Sequence, residues 1–359
     1  MKKAIIFLAI IITALSILPA QGARGSYLKE EAGSFVFTDA SGRKVEIPEG
    51  ITKVAPSGAV ATMFLTSIAP EYMCNVNSAP SVSQMAYLPK AIADLPATGQ
   101  LYGSKATLNL EELIATGAQI MIDIGDYKDG IEDDLDNLQA QIGIPCIFLR
   151  GDLESMADTY RSLGRLLEGK EEKGEELASF IDRTIAMTEE NRAKVRSEDV
   201  KRVMLTSGPD GLGTYAKGSS QAQVLDLIGA ENAIAVENVT SKGVGNAINI
   251  EQLYAFNPDY ILFSPDSIYD KAASDPQWKE LRAIREGSYA EIPGQPYNWM
   301  ANPPSINMVL GIWWAGNLIY PEHFDYDVAE AAKEFYNIFW DYELTDAEAE
   351  SMLSRSTLR

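Results

Sequence analysis

Two stretches of this chain, 140 residues apart, carry one pattern. Asn109-Leu110-Glu111-Glu112-Leu113-Ile114-Ala115 leads into Gln119-Ile120-Met121-Ile122. Asn249-Ile250-Glu251-Gln252-Leu253-Tyr254-Ala255 leads into Asp259-Tyr260-Ile261-Leu262. Asn, Glu, Leu, Ala and the later apolar run fall at the same offsets. Each copy predicts a short helix capped by Asn, with Glu in its first turn, followed by a buried strand. The interval is too long for a solenoid, whose period is about 20–50 residues. It predicts two lobes of similar build, each with an outward Glu at the same place. Two lobes imply a cleft, and paired glutamates imply a two-point dock.

The chain opens as an export signal does. Lys2 and Lys3 precede an apolar stretch from Ala4 to Ala20, and Ala20-Gln21-Gly22 offers small residues for a cut. Thr13, Ser16 and Pro19 weaken the competing reading as a membrane span. No cysteine lies near the cut, which argues against a lipid anchor. A Gram-negative periplasm is the expected location, with an archaeal cell exterior as the other possibility. The remaining length exceeds a single core and predicts more than one domain. The formal charge of −21 repels phosphate backbones, so nucleic acid is not an expected partner. Cys74 and Cys146 each lie in their own apolar run, which favours separate thiols over a bridge.

Strand and helix patterns alternate. Phe35–Asp39 and Lys44–Ile47 flank Ala40-Ser41-Gly42-Arg43 and predict a hairpin. A strand ends at Pro56-Ser57-Gly58, a helix follows over Ala59–Ile68, and a further strand is expected over Tyr72–Val76. Helix Ile131–Ile142 and strand Cys146–Leu149 close the first lobe. From Asp152 to Ser197 the pattern is helical, with glycines only in its first half. A helix over Gly174–Ser197 would run about 36 Å at about 1.5 Å per residue and would join the lobes stiffly. The second lobe restarts with strand Arg202–Thr206 and helix Gln221–Ile228. Helices are expected over Trp278–Arg285, Ile306–Ile319 and Ala329–Trp340, and a strand over Tyr289–Ile292. The expected division is a signal at 1–22, an α/β lobe at 34–151, a helical segment at 152–198 and a second α/β lobe at 199–359. Strands alternating with helices make both sheets mainly parallel.

His323 is the only histidine, which removes most hydrolytic triads and imidazole-based metal cages. Gly211-Leu212-Gly213 lacks the rest of a dinucleotide fingerprint, and the acidic run Asp129–Asp136 lacks calcium-loop spacing. No enzymatic activity, cofactor or bound metal is expected. In open parallel sheets ligands lie beyond the carboxyl ends of the strands. That rule selects Ser57, Tyr102, Lys105 and Tyr127 in the first lobe, and Tyr215, Lys242, Tyr297 and Trp299 in the second. Aromatic faces with few charges suit a bulky, partly apolar ligand.

Phe37-Thr38-Asp39-Ala40-x-Gly42-Arg43, Val54-Ala55-Pro56, the two Asn-x-Glu repeats, Pro296-Tyr297-Asn298-Trp299 and Pro303-Pro304-Ser305-Ile306-Asn307 occur in an ordered series. In that series the chain resembles the substrate-binding proteins of ABC importers that carry iron–siderophore, haem or vitamin B12. The resemblance covers about Phe35 to Leu344. It implies two Rossmann-like lobes joined by one long helix. It implies that a metal chelate is captured between the lobes by a monomer. It implies that Glu111 and Glu251 meet arginines of the permease dimer. Similar sequences often carry arginines where this chain has Asn302 and Met308. Lys105, Lys217 and Lys242 are the cations left for an anionic ligand, which argues against a strongly anionic one and leaves haem, a corrinoid or a neutral chelate open. The alternative is the same fold binding an oxyanion such as molybdate or tungstate.

Overall fold

The computed structural model describes residues 27–31, 33–103 and 106–359. The signal read at residues 1–22 and the loop lysine Lys105 lie outside them. The first lobe is built on three parallel strands, Val54–Pro56, Ile120–Gly125 and Cys146–Arg150, with Ile120–Gly125 in the middle. Their apolar runs are continuous because both faces are covered. Val54, Ile120, Ile122 and Ile124 join the core that contains helix Ala59–Ile68. Ala55, Met121, Cys146 and Phe148 face Ile131, Leu135 and Leu138 of helix Ile131–Ile142.

The antiparallel strands Ser34–Thr38 and Lys44–Pro48 form the expected hairpin. Its turn explains why Asp39 and Arg43 belong together. Asp39 Oδ1 accepts from the amides of Ser41 and Arg43, both at 3.0 Å. Its Oδ2 accepts from Arg43 Nη1 at 3.1 Å and from the Phe148 amide at 3.2 Å. The buried carboxylate therefore closes the turn and fastens it to the first sheet.

The strand expected over Tyr72–Val76 is not continuous. Pro70–Tyr72 is a 3₁₀ turn, and only Met73 and Val76 make single parallel bridges, to Val54 and Ala97. The partner segment is interrupted by proline, and Pro96 has no amide to extend a ladder.

The helical segment divides in two, Met156–Leu166 and Glu171–Arg192. Leu167 is extended and Gly169 is left-handed, which ends the first helix. A Cβ on Gly174 would stand 2.7 Å from the Tyr160 carbonyl oxygen and 2.9 Å from Gly164 Cα. The glycines are thus the crossing point at which the two helices touch backbone to backbone. The long helix stops at Arg192, short of Ser197, because its last turn tightens: the amides of Lys194 and Val195 bond to the carbonyls of Asn191 and Arg192, both at 3.0 Å. At 22 residues it spans about 33 Å and joins the lobes.

The second lobe holds a six-stranded mixed sheet. Arg202–Ser207, Tyr260–Phe263, Tyr289–Glu291 and Glu231–Asn232 are parallel, and Gly213–Thr214 with Asn246–Ala247 adds an antiparallel edge. Helix Trp278–Arg285 is reduced to Arg282–Arg285. Asp275 Oδ1 caps the amides of Gln277 and Trp278, and the Trp278 ring packs 5.3 Å from Phe263. Burying that ring takes the residues before Arg282 out of a helix. Helices Asn307–Ile319 and Val328–Trp340 follow the expected spans. A last helix, Asp346–Leu353, was not expected from the sequence; it begins at a capping box of Thr345 with Glu348.

Helix Val328–Trp340 packs on helix Ala59–Ile68 of the first lobe and on the long helix. The Phe335 and Phe339 rings stack at 4.1 Å. Phe339 also lies 5.9 Å from Tyr160 and 5.6 Å from Phe180, and Phe64 lies 4.9 Å from Tyr160. One aromatic box therefore joins both lobes and the segment between them. Among the described residues no helix is long and apolar enough to cross a membrane.

Candidate ligand cleft

The carboxyl ends of the first-lobe strands gather Ser57, Asp123, Tyr102 and Tyr127. Ser57 is buried and donates from Oγ to Asp123 Oδ1. Tyr102 is half-buried; its hydroxyl donates to Asp134 at 3.0 Å, and Lys128 Nζ stands 4.1 Å above its ring. Burial, aided by Asp134, pushes the Tyr102 hydroxyl well above its ordinary value and keeps it neutral. Tyr127 is exposed and bonds Glu132 at 3.0 Å. Among the described residues Lys128 brings a cation to this wall, which the strand-end rule did not select.

Asp123 was also missed, because inside an apolar run it has no sequence signal of its own. It is buried, and its Oδ2 has no partner among the described residues. Burial raises its carboxyl above the usual range, against the opposing pull of Lys128 and the Ser57 hydrogen bond. A carboxyl raised by folding contributes stability at low pH that is lost as pH rises through its folded value. Asp123→Asn is therefore expected to raise the unfolding free energy at pH 7 by about 1–3 kcal/mol. The gain should vanish near pH 3, and denaturant titrations at the two pH values measure it.

In the second lobe Tyr215 is buried. Its hydroxyl accepts from Asn302 Nδ2 and donates to the Gly243 carbonyl at 3.4 Å. Lys242 is exposed on the adjoining turn. Trp299 requires a correction. It is 1% exposed, its Nε1 donates to the Gln295 carbonyl at 3.1 Å, and its own carbonyl lies against Gly311. Trp299 is therefore buried with the loop and is not among the described residues lining the interlobe cavity. Tyr297 does face it. Burial lifts its hydroxyl to about 12, and its ring lies 6.0 Å from Trp340.

Between the lobes is a cavity of about 330 Å³. Thr62, Asn77, Ser78 and Gln84 line it from the first lobe, and Tyr297, Asn298 and Asn302 from the second. None of its described lining residues is charged. Thr62 is 5% exposed, and its Oγ1 has no partner among the described residues. Of the seven described residues selected from sequence, only Tyr297 lines this cavity; Tyr215 braces its wall through Asn302. Thr62, Asn77, Gln84, Asn298 and Asn302 were not selected. The one signal for them was Asn302 itself, standing where similar chains often carry arginine. Ser220 Oγ donates to Asp126 Oδ2 and ties the two lobes directly.

The repeat copies fold alike. Asn109 Oδ1 accepts from the Glu112 amide at 3.2 Å, and Asn249 Oδ1 from the Gln252 amide at 2.8 Å. Glu111 and Glu251 are exposed in the first turns of Leu110–Ala115 and Ile250–Phe256. Cys74 and Cys146 are free, and burial lifts the Cys146 thiol to about 12. His323 lies half-buried between two helices, 3.8 Å from Glu322.

The vitamin B12-binding protein of Salmonella typhimurium is 28% identical over 156 residues, which are 43% of this chain. The match takes in 54% of that protein, so the chain spans about half the length of the curated relative it matches. An ABC transporter solute binding protein from Sulfurospirillum deleyianum superposes with a TM-score of 0.80 at 24% identity, covering 89% of this chain and 99% of the other. A Haemophilus influenzae molybdate periplasmic binding protein, bound to molybdate, gives a TM-score of 0.68 at 17% identity, covering 86% and 99%. These two structures share the fold of two α/β lobes joined by a long helix. The family model described as periplasmic binding protein matches residues 83–296, more than half of the chain, and the chain belongs to that family.

Proposed function

We propose that the chain is the solute-binding component of an ABC importer, exported to the periplasm, and that it captures a bulky metal chelate of low charge, a corrinoid before a siderophore or haem. The carrying observation is the uncharged interlobe cavity. Four amides, Asn77, Gln84, Asn298 and Asn302, and the unpartnered Thr62 hydroxyl line it. Each amide carries both donors and acceptors, which a ligand rim bearing carboxamides would complement. At about 330 Å³ the cavity would seat one edge of such a ligand while the rest occupies the open cleft. Haem propionates and anionic siderophores would need cations that this lining lacks. The partial likeness to a vitamin B12-binding protein supports the same choice.

The alternative is an oxyanion such as molybdate, as bound by the Haemophilus structure. Titration of tryptophan emission with cyanocobalamin, haem, a ferric siderophore and molybdate separates the readings. Cyanocobalamin should quench strongly, with little dependence on salt. Tyr297→Ala should weaken it about tenfold, or about 1.4 kcal/mol. Tight molybdate binding, lost steeply in salt, would replace the chelate reading with the oxyanion one.

A further inference from the structure

Beyond the two glutamates, the helices that carry them share a second feature. Ile114 is 52% exposed and Tyr254 is 42% exposed. They occupy the same offset in the two copies, three residues after Glu111 and Glu251. Positions three apart stand together on a helix face. The run of exposed and buried positions is the same from residue 109 to 119 as from 249 to 259. Buried Leu113 and Leu253 anchor the two helices inward, and the Asn caps set where each begins. Each lobe thus presents an acid beside an exposed apolar side chain.

Resting on the reading of this chain as an importer's soluble component, we infer that docking uses two matched acid–apolar pairs, Glu111 with Ile114 and Glu251 with Tyr254, received by two like sockets that each set a cation beside an apolar surface. A single exposed apolar side chain is ordinary. Two at one offset in both lobes, each beside an acid, make a repeated surface. The carboxylates of Glu111, Glu112 and Glu251 have no hydrogen-bond or ion-pair partner among the described residues, so the surface calls for a basic partner. A symmetric pair of subunits offers the same socket twice. Short connections return each helix against the strand it feeds, Ile120–Gly125 or Tyr260–Phe263.

The pairs are unequal in chemistry. Tyr254 donates its hydroxyl to the Gln277 carbonyl at 2.8 Å, which fixes the ring. An arginine could pair with Glu251 and lie over that ring at once. Ile114 offers contact area alone. The acids set the encounter rate and its salt dependence, and the apolar side chains set the lifetime of the complex.

The test titrates fluorescently labelled chain, loaded with cyanocobalamin, onto spheroplasts of the source cell. Ile114→Ser/Tyr254→Ser should raise Kd about tenfold or more through faster dissociation, with Tyr254→Ser the larger single effect and Tyr254→Phe close to wild type. Glu111→Gln/Glu251→Gln should slow association and flatten its salt dependence. Cyanocobalamin affinity and thermal midpoint should stay unchanged in every variant, because the four side chains are exposed. If only the acid variant loses docking, the apolar inference falls and the docking reading stands. If neither variant changes docking, or the wild-type chain shows no saturable binding, both fall.

Discussion

Replacing Phe339 by alanine is expected to lower the unfolding free energy by about 3–5 kcal/mol. Phe339 is 1% exposed, stacked on Phe335, and flanked by Tyr160 and Phe180. Truncation removes buried area and leaves a cavity walled by rings from three separate segments, which have no freedom to collapse into it. The box belongs to one apolar core that includes the first sheet, the long helix and the C-terminal helices. The loss should therefore appear as one cooperative transition, with tryptophan emission and far-ultraviolet dichroism moving together in a guanidinium titration. A loss under about 1 kcal/mol, or a second transition in the wild-type chain, would show that the lobes are stabilised separately. The same coupling leaves little room for a wide hinge.

Charge reversal at both glutamates, Glu111→Lys with Glu251→Lys, should abolish uptake of the bound solute while its Kd stays within about twofold. Both carboxylates are exposed, lie in first helical turns and stand apart from the residues lining the cavity. On the docking proposal, reversal places cations opposite a basic partner, which repels at each of two points. It also loses a small favourable interaction with each helix dipole, about 0.3–1 kcal/mol, too little to unfold the protein. Uptake assays with the variant as the sole solute-binding protein, beside direct ligand titration, measure the two effects separately. Loss of ligand affinity in the variant would move the glutamates from docking to the cleft.

The sequence by itself determined the elements whose signals are local. Helices Ala59–Ile68 and Ile131–Ile142 have the bounds that their apolar periodicity and flanking turns predict, and the strand expected after the second repeat forms at Tyr260–Phe263. The two Asn-capped helices follow from caps, first-turn acids and one inward leucine, all within a single turn or two. From these the two-lobed α/β build and the paired outward glutamates were legible. The strand expected at Tyr72–Val76 and the helix expected at Trp278–Arg285 were not, because distant partners decide them. The first finds only single-residue bridges beside a proline-broken segment, and the second surrenders its start to the burial of Trp278.

The cleft was legible only as a place. Strand-end logic selects loops, but a loop side chain's direction depends on what covers it. Trp299 and Tyr297 are two residues apart in one loop; the first is buried, and the second lines the cavity. Thr62 and Gln84 carried no binding signal, because a hydroxyl or amide in a helix is ordinary until another lobe is brought opposite it. Residues 59–92 and 294–303 meet only when the long helix and the aromatic box fix the two lobes together. Local periodicity and capping are short-range and are written in neighbouring residues. The chemistry of the cavity is long-range, and packing alone decided it.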